Sequence, residues 1–154
     1  MTEQPCRLGQ VEIALRRHVA ASTRLDHEVG ARAGLHLSTC EANFVNLLLL
    51  HGPLSPGELG QLSGTGSSGT ITGVIDRLER AGYVRRSRCV VDRRKVEVEL
   101  DAERLAADTT DRSRLLAEVA AGYTADQLAL IAGFLDRLAD AESAMLTQIG
   151  TAAS

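Results

Sequence analysis

The chain has 154 residues and a formal net charge of −3, one domain's worth of polypeptide with enough length for a proper core. Hydrophobic residues make up 44% and charged ones 24%, which excludes wholesale disorder, and 3% aromatics with no Trp argues against a platform that stacks single-stranded bases. The opening MTEQPCRLGQ has no basic-then-apolar leader pattern, and the longest apolar run, Leu47 to Leu50, cannot span a bilayer, so the expected compartment is the cytoplasm with no membrane partner.

In chain order, Leu8, Val11, Leu15, Leu25 and Val29 recur at near-heptad spacing and predict a long amphipathic helix over about 8–29, broken by Gly30 to Gly34. Ser38-Thr39-Cys40-Glu41 fits a capping box that opens an apolar helix over about 39–50, and His51-Gly52-Pro53 stops it. A second capping box, Ser55-Pro56-Gly57-Glu58, starts a short helix over 56–62 with Pro at its first position. After a Gly/Ser/Thr turn over 63–68, Ile71, Val74, Ile75 and Leu78 form one apolar stripe of a helix over about 70–81. The opposite side of that helix carries Gly69, Thr72, Gly73, Asp76 and Arg80, with Thr70 and Arg77 on its flanks. Gly82 suits a left-handed C-terminal cap. Tyr83 and Val84 then begin a strand, Asp92, Arg93 and Arg94 sit in a loop, and Lys95 to Leu100 alternates like a returning strand. Asp101 caps a further helix to about Ala121, and a third capping box at Thr124–Gln127 opens the last one, to about Ile149.

Two short helices, a turn, a polar-faced helix and a β-hairpin make a winged helix-turn-helix. Charge gathers on it. Between Asp76 and Lys95 there are eight basic and three acidic residues, a net +5 on an otherwise acidic chain, which is an electrostatic footprint for a polyanion. The first helix and the last two have more apolar surface than one small winged helix can cover. A helical dimerisation part is therefore expected, with an intramolecular three-helix bundle as the alternative.

The pieces GPLSPGELGQL (52–62), SSGTITGVIDRLERAGYVRR (67–86) and DRR (92–94) closely resemble the MarR family of winged-helix transcription regulators, and the flanking helices follow that family's order. The resemblance implies a mainly α fold with a small β-hairpin wing. Its parts would be an N-terminal dimerisation helix in 1–36, a winged helix-turn-helix DNA-binding domain in 37–100 and C-terminal dimerisation helices in 101–154. It also implies a homodimer on double-stranded DNA with an inverted-repeat operator, released by a small molecule or by oxidation. A repressor with a small-molecule effector is the expected reading; no nucleophile–base or metal constellation shows in the residues, so no cofactor, no metal and no enzymatic activity are expected. Carried over by position, Arg94 matches the family arginine that enters the minor groove, and Asp92 the acid that shapes the wing. Ser67, Ser68, Thr70 and Thr72 fall where the reading helix meets bases and phosphates, and Arg77, Arg93 and Lys95 complete the expected DNA-binding set. Short hydroxyls and a helix N-terminus donate to phosphate, and a narrow minor groove attracts arginine. The chain departs from the family pattern at Cys89 and Val90 in the wing and at Gly73 and Val74, where a polar or basic residue is common. The first half of the reading helix thus lacks a bidentate Arg for guanine. That lack motivates a second reading, a small-molecule-binding or antirepressor protein that kept the fold and lost operator binding.

Gly64-Thr65-Gly66-Ser67-Ser68-Gly69 is literally G-x-G-x-x-G, but the dinucleotide motif needs a strand before it, and a helix tail precedes it here. His18, His27, His36 and His51 have no paired ligand spacing, although His18 and His36 could line an effector pocket. Cys6, Cys40 and Cys89 lack CxxC spacing and suggest neither a disulfide framework nor a zinc site. Cys40, in a first helical turn, and Cys89, on the wing, are the candidates for oxidation. Release by a ligand, not by oxidation, is the expected mode.

Overall fold

A computed structural model of the chain describes residues 3–32, 39–65, 67–88, 92 and 95–152. Among these residues the elements are α1 (Glu3–Arg32), α2 (Thr39–His51), α3 (Pro56–Ser63), α4 (Ser68–Arg80), β1 (Val84–Arg88), β2 (Val96–Leu100), α5 (Ala102–Ala120) and α6 (Ala125–Ala152). The chain divides into two compact units, Met1–Asp108 and Thr109–Ser154.

Within the first unit one core gathers the apolar faces of α2, α3, α4 and the hairpin. Phe44 and Leu48 come from α2, Leu59 from α3, Val74, Ile75 and Leu78 from α4, and Tyr83, Val84 and Val98 from the hairpin. The stripe read on α4 is therefore the buried one, with Ile71 packed at its edge. α3 and α4 approach closely because position 60 is glycine: a Cβ there would run into Cδ1 of Ile71 and stand 3.2 Å from its Cγ1.

The capping chemistry explains the element ends. At Ser55 both arms of the box form: Glu58 N–H donates to Ser55 Oγ at 3.3 Å, and Ser55 N–H donates to Glu58 Oε2 at 2.8 Å. α4 ends as its Gly82 signal predicts. Gly82 has φ +76°, its N–H donates to Glu79 O at 3.0 Å, and Tyr83 N–H donates to Leu78 O at 2.9 Å, the paired bonds of a Schellman stop. Tyr83 and Leu78 both lie in the core, so the stop also anchors the start of the wing.

β1 and β2 pair antiparallel with Val84 opposite Leu100 and Arg88 opposite Val96. Leu54, between α2 and α3, adds a bridge to Val98, N–H to O at 3.1 Å one way and 2.8 Å the other. Sequence patterning does not reveal this rung, because one residue carries no alternation. Arg104 N–H donates to Asp101 Oδ1 at 2.9 Å, the expected cap of α5, and the Arg104 guanidinium lies 5.1 Å from the Tyr83 ring centre.

α1 departs from expectation. It begins at Glu3, ahead of the expected start near Leu8, and passes Gly30 to end at Arg32, inside the 30–34 stretch expected to break it. A single glycine costs a helix only about 1 kcal/mol, and without a left-handed cap it does not end one. The capping box read at Ser38 lies outside the described residues. In the second unit the box at Thr124 closes both ways, Thr124 N–H to Gln127 Oε1 at 2.9 Å and Gln127 N–H to Thr124 Oγ1 at 3.2 Å. α6 leaves Leu130, Met145, Leu146 and Ile149 largely exposed.

Candidate nucleic-acid interface

The buried stripe of α4 dictates what its other face presents. Ser67 is the N-cap, in an extended conformation, and its Oγ accepts from Thr70 N–H at 3.2 Å. The two hydroxyls, Ser67 Oγ and Thr70 Oγ1, also lie 2.7 Å apart. Ser67, Ser68, Gly69, Thr70 and Thr72 are all exposed at or near the helix N-terminus. This is a hydroxyl-lined surface at the positive end of a helix dipole, which can donate to phosphate oxygens. Val74 lies fully in the core, so its departure from the family pattern removes no group from the exposed face.

The basic residues behave less uniformly than their formal charges suggest. Arg77 reaches across to α2, where its Nε donates to Glu41 Oε1 at 2.6 Å. Glu41 is 1% exposed, so this guanidinium serves a buried carboxylate. Arg86, on β1, turns to α4: one guanidinium nitrogen pairs with Asp76 and another with Glu79. Its backbone N–H also donates to Glu79 Oε1 at 3.2 Å. The hydrogen bond with Asp76 is the main cause of a raised Arg86 pKa, partly opposed by desolvation and aided by the charge of Glu79. Arg85 pairs across the hairpin with Glu99, Nε to Oε1 at 2.9 Å, as their register positions dictate. Glu41 and Glu99 come from outside the 76–95 window, and adding them lowers its +5 to +3.

Arg80 remains exposed, with no ion pair among the described residues. At the wing, exposed Lys95 donates its N–H to the Asp92 carbonyl at 2.9 Å and shapes the turn. Arg93 and Arg94, with Cys89 and Val90, lie outside the described residues. Ser67, Ser68, Thr70 and Thr72 therefore share one exposed helix end, Asp92 and Lys95 meet in the wing turn, and Arg77 is engaged with α2. Glu41 and Arg86 were missed as organisers of this face. The signal for Glu41 was legible: Glu41, Phe44 and Leu48 share one buried helical face, and an acid in such a stripe demands a partner.

The G-x-G-x-x-G stretch follows α3, not a strand, and Gly64 ends that helix with φ +69°. Among the described residues, no group of three or more His, Cys, Asp or Glu could hold a metal ion. A cleft of about 550 Å³ is lined by His18, Ser22 and Asp26 of α1, by Asn43 and Asn46 of α2 and by Thr65. Cys40 lies on its wall, Sγ 4.0 Å from Thr65 Oγ1. No single helix among the described residues is long and apolar enough to cross a membrane.

Fold and site together define a winged helix-turn-helix protein with a polar, capped reading helix beside a hairpin wing. The MarR family model matches residues 44–96. The HTH-type transcriptional regulator YcgE of Bacillus subtilis is 35% identical over 136 residues, covering 86% of this chain and 87% of that protein. Among solved structures, a MarR family transcriptional regulator from Silicibacter pomeroyi matches with a TM-score of 0.64 at 21% identity, over 86% of this chain and 89% of its own. The PcaV regulator of Streptomyces coelicolor, solved with its natural ligand, matches at 0.53 and 24%, over 84% and 91%. The chain belongs to the MarR family and is a transcriptional regulator. Fold and family are those of transcription regulators.

Proposed function

We propose that the chain acts in the cytoplasm as a homodimeric repressor that holds an inverted-repeat operator through α4 and the wing and lets go when a small molecule binds. The observation that carries this reading is the exposed N-terminal end of α4, with Ser67, Ser68, Thr70 and Thr72 on a helix whose opposite face is locked into the core. In this assignment the four hydroxyls meet phosphates and base edges. Arg93, Arg94 and Lys95 follow the wing into the minor groove, with Asp92 shaping the turn. Arg77 contributes by fixing α4 on α2. The exposed apolar residues of α1, among them Leu8, Ile13 and Val19, and those of α6 support a second copy as their cover. The cleft between α1 and α2 supports a site for the effector, as PcaV binds one of its own. The dimerisation parts are taken as 1–36 and 101–154, around a DNA-binding domain of 37–100. A footprint on the DNA flanking its own gene, with and without candidate ligands, tests the assignment. Protection of two half-sites about one helical turn apart is expected, and the absence of any protected site overturns it.

A further inference from the structure

Arg86 does something that the DNA-binding assignment does not use. It sits on β1 opposite Val98 of β2, yet its side chain pairs with α4 and not with the hairpin. Its guanidinium spans Asp76 and Glu79, one turn apart on α4, and its own backbone N–H donates to Glu79 Oε1 at 3.2 Å. Three polar links thus join the wing strand to the reading helix. Strand pairing holds β1 to β2, and the core holds the inner faces of both elements, but neither fixes the outer edge of the strand against the outer side of the helix. A guanidinium fork is suited to this, since its rigid plane can grip two carboxylates at once where a lysine would grip one. Asp76 lies on the side of α4 read as facing DNA, so the pairing also covers a carboxylate that would otherwise repel phosphate.

We infer that Arg86 is a positioning residue for DNA recognition, locking the wing at a set angle to α4 through Asp76 and Glu79 instead of contacting phosphate. The inference rests on the DNA-binding reading above. Sequence selectivity then depends on Arg86, because helix and wing must enter their grooves in one register, while the sequence-independent attraction to DNA does not.

The experiment uses the full-length chain and the duplex it enriches from a randomised 30-base-pair pool, with a scrambled duplex as reference. Two variants attack the same lock from opposite sides, Arg86→Met and the double variant Asp76→Asn/Glu79→Gln. A phosphate-contact role predicts opposite outcomes: Arg86→Met weakens both duplexes alike and lowers the salt slope by about one contact, and the double variant, with Arg86 set free, binds both more tightly. A positioning role predicts that the ratio of selected to scrambled affinity falls at least tenfold in both variants, with the salt slope on the scrambled duplex unchanged. Arg86→Lys should recover only part of the ratio. If Arg86→Met does not fold, as judged by circular dichroism, the double variant decides alone. An unchanged ratio in the double variant overturns the inference and leaves DNA binding intact. A wild-type chain that enriches no duplex overturns the DNA-binding reading and this inference with it.

Discussion

At the scale of single residues, the informative groups are the ones whose charge is already spent inside the fold. Glu41 is a carboxylate in the core, and the fold keeps it by supplying Arg77 at 2.6 Å. Removing the guanidinium takes one charged donor from a buried carboxylate. Arg77→Met is therefore expected to lower stability by about 1–3 kcal/mol, read as a shift in urea midpoint. Converting both members, Arg77→Met with Glu41→Met, should recover most of it, because an apolar pair of similar size can replace a buried ion pair. If Arg77 were instead a phosphate contact, the double variant would regain stability but not DNA affinity, and electrophoretic mobility shift separates the two cases. Glu58 gives a pH-dependent counterpart. The Ser55 hydroxyl, then the Ser55 N–H, hold its pKa below the ordinary carboxylate value. A carboxylate depressed in the folded state stabilises above its unfolded pKa, and that help fades as pH falls through the lower folded value. Ser55→Ala should move the Glu58 titration back up toward the value of 4.5 for a free glutamate, followed by NMR, so that α3 loses its cap at a less acidic pH. An unmoved midpoint would show that the backbone arm alone holds the charge.

At the scale of elements, α4 carries a cost that points to its use. Gly69 and Gly73 each forgo about 1 kcal/mol of helix stability relative to Ala. A Cβ at Gly69 would meet nothing within 4 Å, and one at Gly73 only Arg77 Nη1 at 3.4 Å, so the protein's own packing demands neither glycine. In the proposed complex, close approach of a groove wall would. Gly73→Leu is thus expected to raise the thermal midpoint and abolish binding to an operator duplex; tight binding by that variant would mean that another face of α4 meets DNA. The same helix shows which parts of the structure were legible in the sequence. Its apolar stripe and its stop at Gly82 are encoded within a few residues, and so are the boxes at Ser55 and Thr124, whereas its start at Ser68, capped by Ser67, falls in the stretch read as a turn. The links that set its position are not local. Glu41 and Arg77 are 36 residues apart, Leu54 bridges from the α2–α3 connection to Val98 of β2, and Arg86 turns toward α4 instead of toward solvent. A formal charge count treats every arginine as available, whereas tertiary packing assigns several of them to carboxylates before any ligand arrives. Patterns of local chemistry therefore located α4, and only the folded arrangement showed which of its neighbouring arginines pair with carboxylates.

At the scale of the whole molecule, exposed apolar surface and salt response are tied together by symmetry. α1 exposes Leu8, Ile13 and Val19, and α6 exposes Leu130, Met145, Leu146 and Ile149, each about 60–70% open. Apolar helical surface of this kind is rare on a stable monomer and ordinary where a second copy covers it. Deleting residues 1–29 should then give a monomer or an aggregate by light scattering, and a well-behaved dimer after that deletion would place the interface elsewhere. A two-fold dimer also fixes the salt response. If each half-site uses about four phosphate contacts, the dimer's log–log slope of affinity against salt should be near −7, at about 0.9 per contact. A soluble monomeric deletion variant that still binds should show about half that slope on a single half-site. A full-length slope already at the half-site value would mean that only one reading helix engages at a time. Such a result would also remove the basis for release by an effector. A ligand between α1 and α2 acts, in this scheme, by moving two reading helices off the one-turn spacing of about 10 base pairs that both must satisfy together. With a single engaged helix no spacing exists to disturb. The salt slope of the intact chain therefore tests the dimer, the inverted repeat and the logic of the switch in one titration.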